Sequence, residues 1–245
     1  MNRDRVLVIA AKDLSLVLHR RSIVASLVAF PLLLALGFPA ILRFSAASTG
    51  GIPASVLPQL LDAFLFFFTV PAGVLPTAIA SYSLVGEKIE RSLEPLLATP
   101  ATDGEILLGK FLAAFVPPVL AVEVAAAVYM VLADLATRTR LGGWYYPTGL
   151  TLTVLLLVVP LTSAMAVGFD VIVSARATEV RSAQQVGSLA FLPYAALYVA
   201  LEVKAVTLDA TMLRVLVVVL LVVDLLLVRL ARRAFRREEI LTRWR

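Results

Sequence analysis

EKIERSLEPLLATPATDGEILLGK, residues Glu87 to Lys110, lies between two uninterrupted apolar runs and is the longest interior stretch too polar for a membrane core. Ile89, Leu93, Leu96 and Leu97 fall at helical spacing and share one face, while Glu87, Lys88, Glu90, Arg91 and Glu94 cover the remainder. Pro95 stops a continuous helix but is tolerated in a first turn. Ser92 therefore caps a short helix from Leu93 to Thr99, closed by Pro100. Thr102 and Glu105 stand at capping-box spacing and start the next helix. The expected device is a short amphipathic helix held at a membrane surface between two spans.

Composition places the chain in the same class. Of its 245 residues 60% are hydrophobic and 16% charged, with a mean hydropathy of +0.94, whereas soluble domains run near half apolar and about a quarter charged. The expected fold is an all-α polytopic membrane protein forming one domain over residues 1–245. Stretches of the roughly 20 apolar residues needed to span occur at 22–44, 61–86, 105–133, 148–173, 184–201 and 212–230. Prolines recur inside them, so several helices should be kinked. Ahead of the first span, residues 4–21 form an amphipathic helix. Val6, Leu7, Ala10, Leu14, Val17 and Leu18 make its apolar stripe, Arg5, Lys12 and His19 stand opposite, and Ile9 and Leu16 fall on the polar side. Such a helix lies in the interface.

Charge sets the orientation. All but five of the 22 lysines and arginines fall before the first span, in or beside the loop between spans two and three, between four and five, or from the end of span six onward. The exceptions are Arg43, Arg138, Arg140, Lys204 and Arg214. The positive-inside rule puts both termini and the loop 87–104 in the cytoplasm of a plasma-membrane protein. The opposite segments are short, and Trp144, Tyr145 and Tyr146 in 134–147 are expected to anchor in the interface. The net charge of +5 does not imply nucleic acid, because the basic residues flank apolar spans. There are no cysteines, which excludes disulfides and thiolate chemistry.

Catalytic motifs fail on their context. Gly104, Gly109 and Lys110 match the start of a phosphate-binding loop, yet Phe111 stands where its Ser or Thr belongs and no strand precedes it. The single histidine, His19, lies on the interfacial helix, away from any nucleophile motif. Carboxylates within or near the spans include Asp170 near an end, and Glu123 and Asp224 deep inside. A charge at mid-bilayer costs on the order of 2.5–3.5 kcal/mol, so Glu123 and Asp224 either line a translocation path or bond to neighbouring helices; for Asp170 the structural role is favoured.

The run Gly86 to Lys110 resembles the first cytoplasmic loop of ABC-2 type permeases, the membrane subunits of ATP-driven exporters. The features that carry the likeness are the charged cluster Glu87 to Arg91, then Ser92, Leu93 and Glu94, the pair Leu96 and Leu97, Thr99 with Pro100, and Ile106 to Lys110. Ser92 replaces the usual threonine and Pro95 is an addition; the capping hydroxyl survives both. The helix 4–21, with Lys12 and Asp13, is similar to the family's elbow helix. Residues 174–185 and the basic tail resemble its second loop and its end. The resemblance implies two permease chains, as homo- or heterodimer, and two copies of a separate ATP-binding cassette subunit that binds the ATP and Mg, so that no cofactor and no catalytic site belong to this chain. It also implies that Ser92 to Thr99 is a coupling helix, with Glu87, Glu90, Arg91, Ser92, Leu93, Glu94, Leu96, Leu97, Thr99 and Pro100 meeting the ATPase. Two readings compete: an ATP-independent ion or proton-coupled carrier using Glu123 and Asp224, and a membrane scaffold.

Overall fold

In hydrocarbon every backbone donor and acceptor must be satisfied within the segment, and the described residues are accordingly mostly helical. The computed structural model describes residues 2–47, 52–86, 99–177, 179–189, 192–193, 196–197, 200 and 209–234. The order is α1 (Arg3–Leu18), α2 (Arg21–Ala47), α3 (Leu57–Phe66), α4 (Thr69–Ser81) widening into a π-turn at Tyr82–Gly86, α5 (Asp103–Leu141), α6 (Gly149–Thr153), a π-turn at Val154–Val158 continuing into α7 (Val159–Arg176), α8 (Val180–Ser188) and α9 (Ala210–Ala234).

Five stretches are long and apolar enough to cross a membrane: Arg21–Ser45, Leu57–Ser81, Asp103–Leu141, Gly149–Ser174 and Ala210–Arg232. The expected sixth, 184–201, falls on residues described only in part; its first residues belong to α8, a nine-residue helix that starts four positions earlier. The span expected at 61–86 is broken at Phe67 and Phe68. Pro71 lacks the N–H that would bond the Phe67 carbonyl, and its ring would clash there in a continuous helix. Tight turns, Phe68 N–H to Leu65 and Val70 N–H to Phe67, carry the chain across instead. Pro160 acts similarly: the turn before it opens, and Val159 reaches back to the Val154 carbonyl.

α4 sits at the centre, packed against α5 and α7, while α1 and α2 pack along α5 and α9 lies against α7 at the edge. The core holds Leu61, Leu65, Phe66, Phe68, Ile79, Val122, Tyr129, Val158 and Val167. Phe38 of α2 stacks on Phe64 at 4.2 Å. α9 presents Val215, Val218, Val222 and Leu225 outward, as a lipid-facing helix does.

α5 does not end near residue 133. It runs 39 residues to Leu141, stopped by Gly142 at φ 76. Hydropathy falls at Asp134, but Ala133, Asp134 and Thr137 stay buried against the bundle, so packing extends the helix past the apolar window. Tyr145 and Tyr146 likewise are not interfacial anchors. Trp144 is 64% exposed, but Tyr146 is 8% exposed and Tyr145 half-buried. The Asp134 carboxylate accepts from the backbone N–H groups of Tyr145 at 3.1 Å and Tyr146 at 3.2 Å. The Tyr129 and Tyr146 hydroxyls converge on the Leu61 carbonyl at 3.1 and 2.8 Å. Burial pushes the Tyr145 and Tyr146 phenols up, so both remain proton donors. Replacing Asp134 with Ala orphans two amides and should cost about 2 kcal/mol; the purified chain in detergent should melt at lower temperature, with Asp134→Asn, which keeps one acceptor, falling between.

Candidate functional site

The hydrophilic loop after α4 has two roots, the π-turn Tyr82–Gly86 and residues 99–110, and α1 holds both. Its protein-facing residues are Val6, Ile9, Asp13 and Val17. This corrects the expected stripe. Ile9, assigned to the polar side, is buried, whereas Leu7 and Leu18 are 61% and 55% exposed. α1 has one apolar face toward α5 and a second beside it toward its surroundings, and a wheel merges the two.

Toward the start of α1 the contacts are with the second root. Asn2 caps α1 by accepting from the Asp4 N–H at 3.0 Å, and its own N–H donates to Glu105 Oε1 at 2.6 Å. Glu105 also completes the expected capping box: the Thr102 N–H donates to Oε2 at 2.9 Å, and the Glu105 N–H donates to Thr102 Oγ1 at 3.3 Å. One carboxylate thus starts α5 and receives α1. Arg5 donates to the Pro100 carbonyl at 2.6 Å and stands 3.9 Å from Glu105.

Two turns further along, Asp13 meets both roots. Lys110 Nζ lies 2.9 Å from Asp13 Oδ2 with each residue 2% exposed. It also donates to the Ser83 carbonyl at 3.0 Å, while the Ser83 hydroxyl donates to the same Asp13 oxygen at 2.5 Å. Gly109 allows the approach: a Cβ there would lie 2.8 Å from the Ile9 Cβ. Beyond the end of α1, Arg20 covers the Tyr82 ring at 3.4 Å. The Gly-Lys pair that imitates a phosphate loop is therefore a helix contact followed by a buried ion pair. Sequence reading did not place Lys110 and Ser83 in a network; the available signal was Asp13, an acid on the buried side of an otherwise apolar helix face.

A second buried carboxylate ties the first root to α8. Asp170, fully buried on α7, accepts from the Ser81 hydroxyl at 2.9 and 3.0 Å and from Ser174 at 3.2 Å, and Gly187 of α8 packs directly against it. Ser81 immediately precedes the π-turn, so α4, α7 and α8 meet on one side chain.

The other expected site residues are not gathered into one place. Glu87, Glu90, Arg91, Ser92, Leu93, Glu94, Leu96 and Leu97 lie outside the described residues; Thr99 and Pro100 are exposed. Glu123 is half-buried on α5. Asp224 is half-buried on α9 and lines a cavity of about 220 Å³ between α5, α7 and α9, a wall that does not include Glu123.

Helices able to cross a bilayer, buried polar residues at the helix ends and a hydrophilic loop with both roots bound to an N-terminal amphipathic helix together describe a multi-pass membrane protein. The chain belongs to the ABC-2 family of transporter proteins, whose pattern matches residues 7–226. It is thus a membrane transport component of the kind that associates with an ATP-binding cassette subunit. No curated protein matches it.

Lys110→Met leaves the Asp13 carboxylate buried without its cation, at a cost of roughly 3–5 kcal/mol. The melting temperature in detergent should drop sharply, and the double substitution Asp13→Leu with Lys110→Met should recover most of the loss.

Proposed function

We propose that this chain is the membrane-spanning permease subunit of an ATP-driven exporter, with six spans, α1 as its elbow helix and 87–104 as its coupling loop. Two such chains form the translocation path. Two copies of a separate ATP-binding subunit dock beneath, carrying ATP and Mg, and this chain hydrolyses nothing itself. The termini and the α1 end of the bundle face the cytoplasm of the plasma membrane, an orientation that the distribution of Lys and Arg supports.

The observation that carries this reading, beside family membership, is the pair of loop roots held by Asp13, Lys110, Ser83 and Glu105. A coupling element works only if a push on it displaces the spans instead of bending the connection. Buried, multiply bonded roots supply that stiffness. Leu93, Leu96 and Leu97 form the apolar face that the partner buries, and Glu87, Glu90, Arg91 and Glu94 pair at its rim, with Ser92, Thr99 and Pro100 bounding the helix. Glu123 and Asp224 belong to the path. The carrier reading keeps one observation in its favour, an Asp224 carboxylate that no described residue bonds.

Co-purification of a candidate ATP-binding subunit with the full chain in detergent tests this. Leu93→Asp and Leu96→Asp should each reduce the bound subunit about tenfold or more, since a charge in an apolar anchor costs well over 1.4 kcal/mol. If the subunit binds both variants as well as it binds the unaltered chain, the coupling-helix assignment falls. Ion flux through the chain alone would favour the carrier.

A further inference from the structure

We infer that the cavity between α5, α7 and α9 is a binding site for a lipophilic organic ammonium ion, held at Asp224. The walls are Leu107, Leu108 and Phe111 from α5, Ala164, Gly168 and Val171 from α7, and Leu227 and Val228 from α9. These are apolar or small, and the site opens beside a helix whose outer face is exposed Val and Leu. Close approach of the helices fixes its depth: a Cβ on Gly168 would lie 3.2 Å from the Leu227 Cβ.

Into this wall the chain sets one carboxylate. Both Asp224 oxygens are shielded from solvent, and neither has a hydrogen-bond partner among the described residues. That contrasts with Asp170 and Asp134, which are bonded by their neighbours, and with Asp13, which is bonded through Oδ2. Buried carboxylates are paired or hydrogen-bonded as a rule, so Asp224 calls for donors from an occupant. A metal ion does not fit, because a hard cation needs about six oxygen ligands and the wall offers one carboxylate. A primary or tertiary ammonium on a hydrocarbon body meets both requirements, charge and hydrogen bonds at one end and apolar contact along the rest. At about 220 Å³ the cavity lies just below the usual range of roughly 300–1,000 Å³, so a slender occupant is selected. Arg232 at the mouth stands eight residues from Asp224, about 12 Å along the helix, and is exposed, so it does not face an amine seated at the carboxylate.

Binding of such a cation is a property of this chain; that the cation is cargo rests on the permease reading. The probe is tritiated decylammonium with tritiated decanol as uncharged counterpart, titrated onto the full chain in nanodiscs of phosphatidylcholine. The expected result is saturable binding of the amine above that of empty nanodiscs. Asp224→Asn should weaken amine binding about tenfold, the loss of one charge pairing, with little effect on decanol. Ala164→Phe, which fills the cavity from the opposite wall, should abolish both, and Leu225→Ala, on the outward face, should change neither. Amine binding that survives Asp224→Asn and Ala164→Phe overturns the site. So does the absence of saturable binding to the unaltered chain, as when another segment or a second copy covers the cavity. The two readings fail separately: loss of the coupling-helix result with amine binding intact removes the coupling-helix assignment and leaves the cation site.

Discussion

The ammonium of Lys110 has left water entirely, and the structure at the α1 end follows from how that is accommodated. A buried cation is tolerated only where opposite charge and acceptors surround it, and here they come from two other segments, Asp13 of α1 and the Ser83 hydroxyl and carbonyl within the π-turn. Three pieces of chain, distant in sequence, are thereby required at one point. Hydrophobic substitutes of similar volume could pack there with comparable stability. What they would not supply is register. Apolar faces slide along one another at small cost, whereas a buried ion pair has one good geometry.

That requirement explains the neighbours. Gly109 precedes Lys110 because α1 must lie against α5 closely enough for Asp13 to reach, and Ile9 occupies the space a side chain would need. Glu105 repeats the arrangement one turn earlier, using one carboxylate to begin α5 and to receive the amide of Asn2, the cap of α1. Asp170 does the same on the other side of the π-turn through Ser81. The hydrophilic loop therefore leaves the bundle from a base in which Asp13, Ser83, Lys110, Glu105 and Asp170 each have a defined partner.

Much of this was legible in sequence, though unevenly. Apolar runs near 20 residues identified the helices that can cross, because desolvation of backbone and charge depends on composition alone. Thr102 and Glu105 were legible because a capping box is local. What escaped was tertiary. The extension of α5 depends on Asp134 finding the amides of Tyr145 and Tyr146 eleven and twelve residues on, and hydropathy reads that aspartate as an end. The same contacts turn two tyrosines inward that composition assigns to the interface. The inward face of α1 was misread because a wheel assumes one boundary between apolar and polar, while this helix has protein on one side and its surroundings beside it. Pro71 was visible, but whether a proline kinks a span or breaks it is decided by whether a tight turn can carry the chain past it, as happens at Phe68 and Val70.

α5 joins the two ends of the molecule without a loop. Lys110 and Asp134 are 24 residues apart on one helix, about 36 Å at 1.5 Å per residue. A tilt of a few degrees about one end is a displacement of about 2–3 Å at the other over that length, comparable with the shift of a packed helix. The beam is not uniform. Pro117 and Pro118 supply no N–H to the carbonyls of Ala113 and Ala114 one turn back, so bending stiffness is least just beyond the Lys110 anchorage and greater in the long arm that carries Asp134. A torque on the loop would be felt first as flexure at that weak section, and the far arm would follow as a rigid pointer, with the tyrosine-lined end of the bundle as its dial.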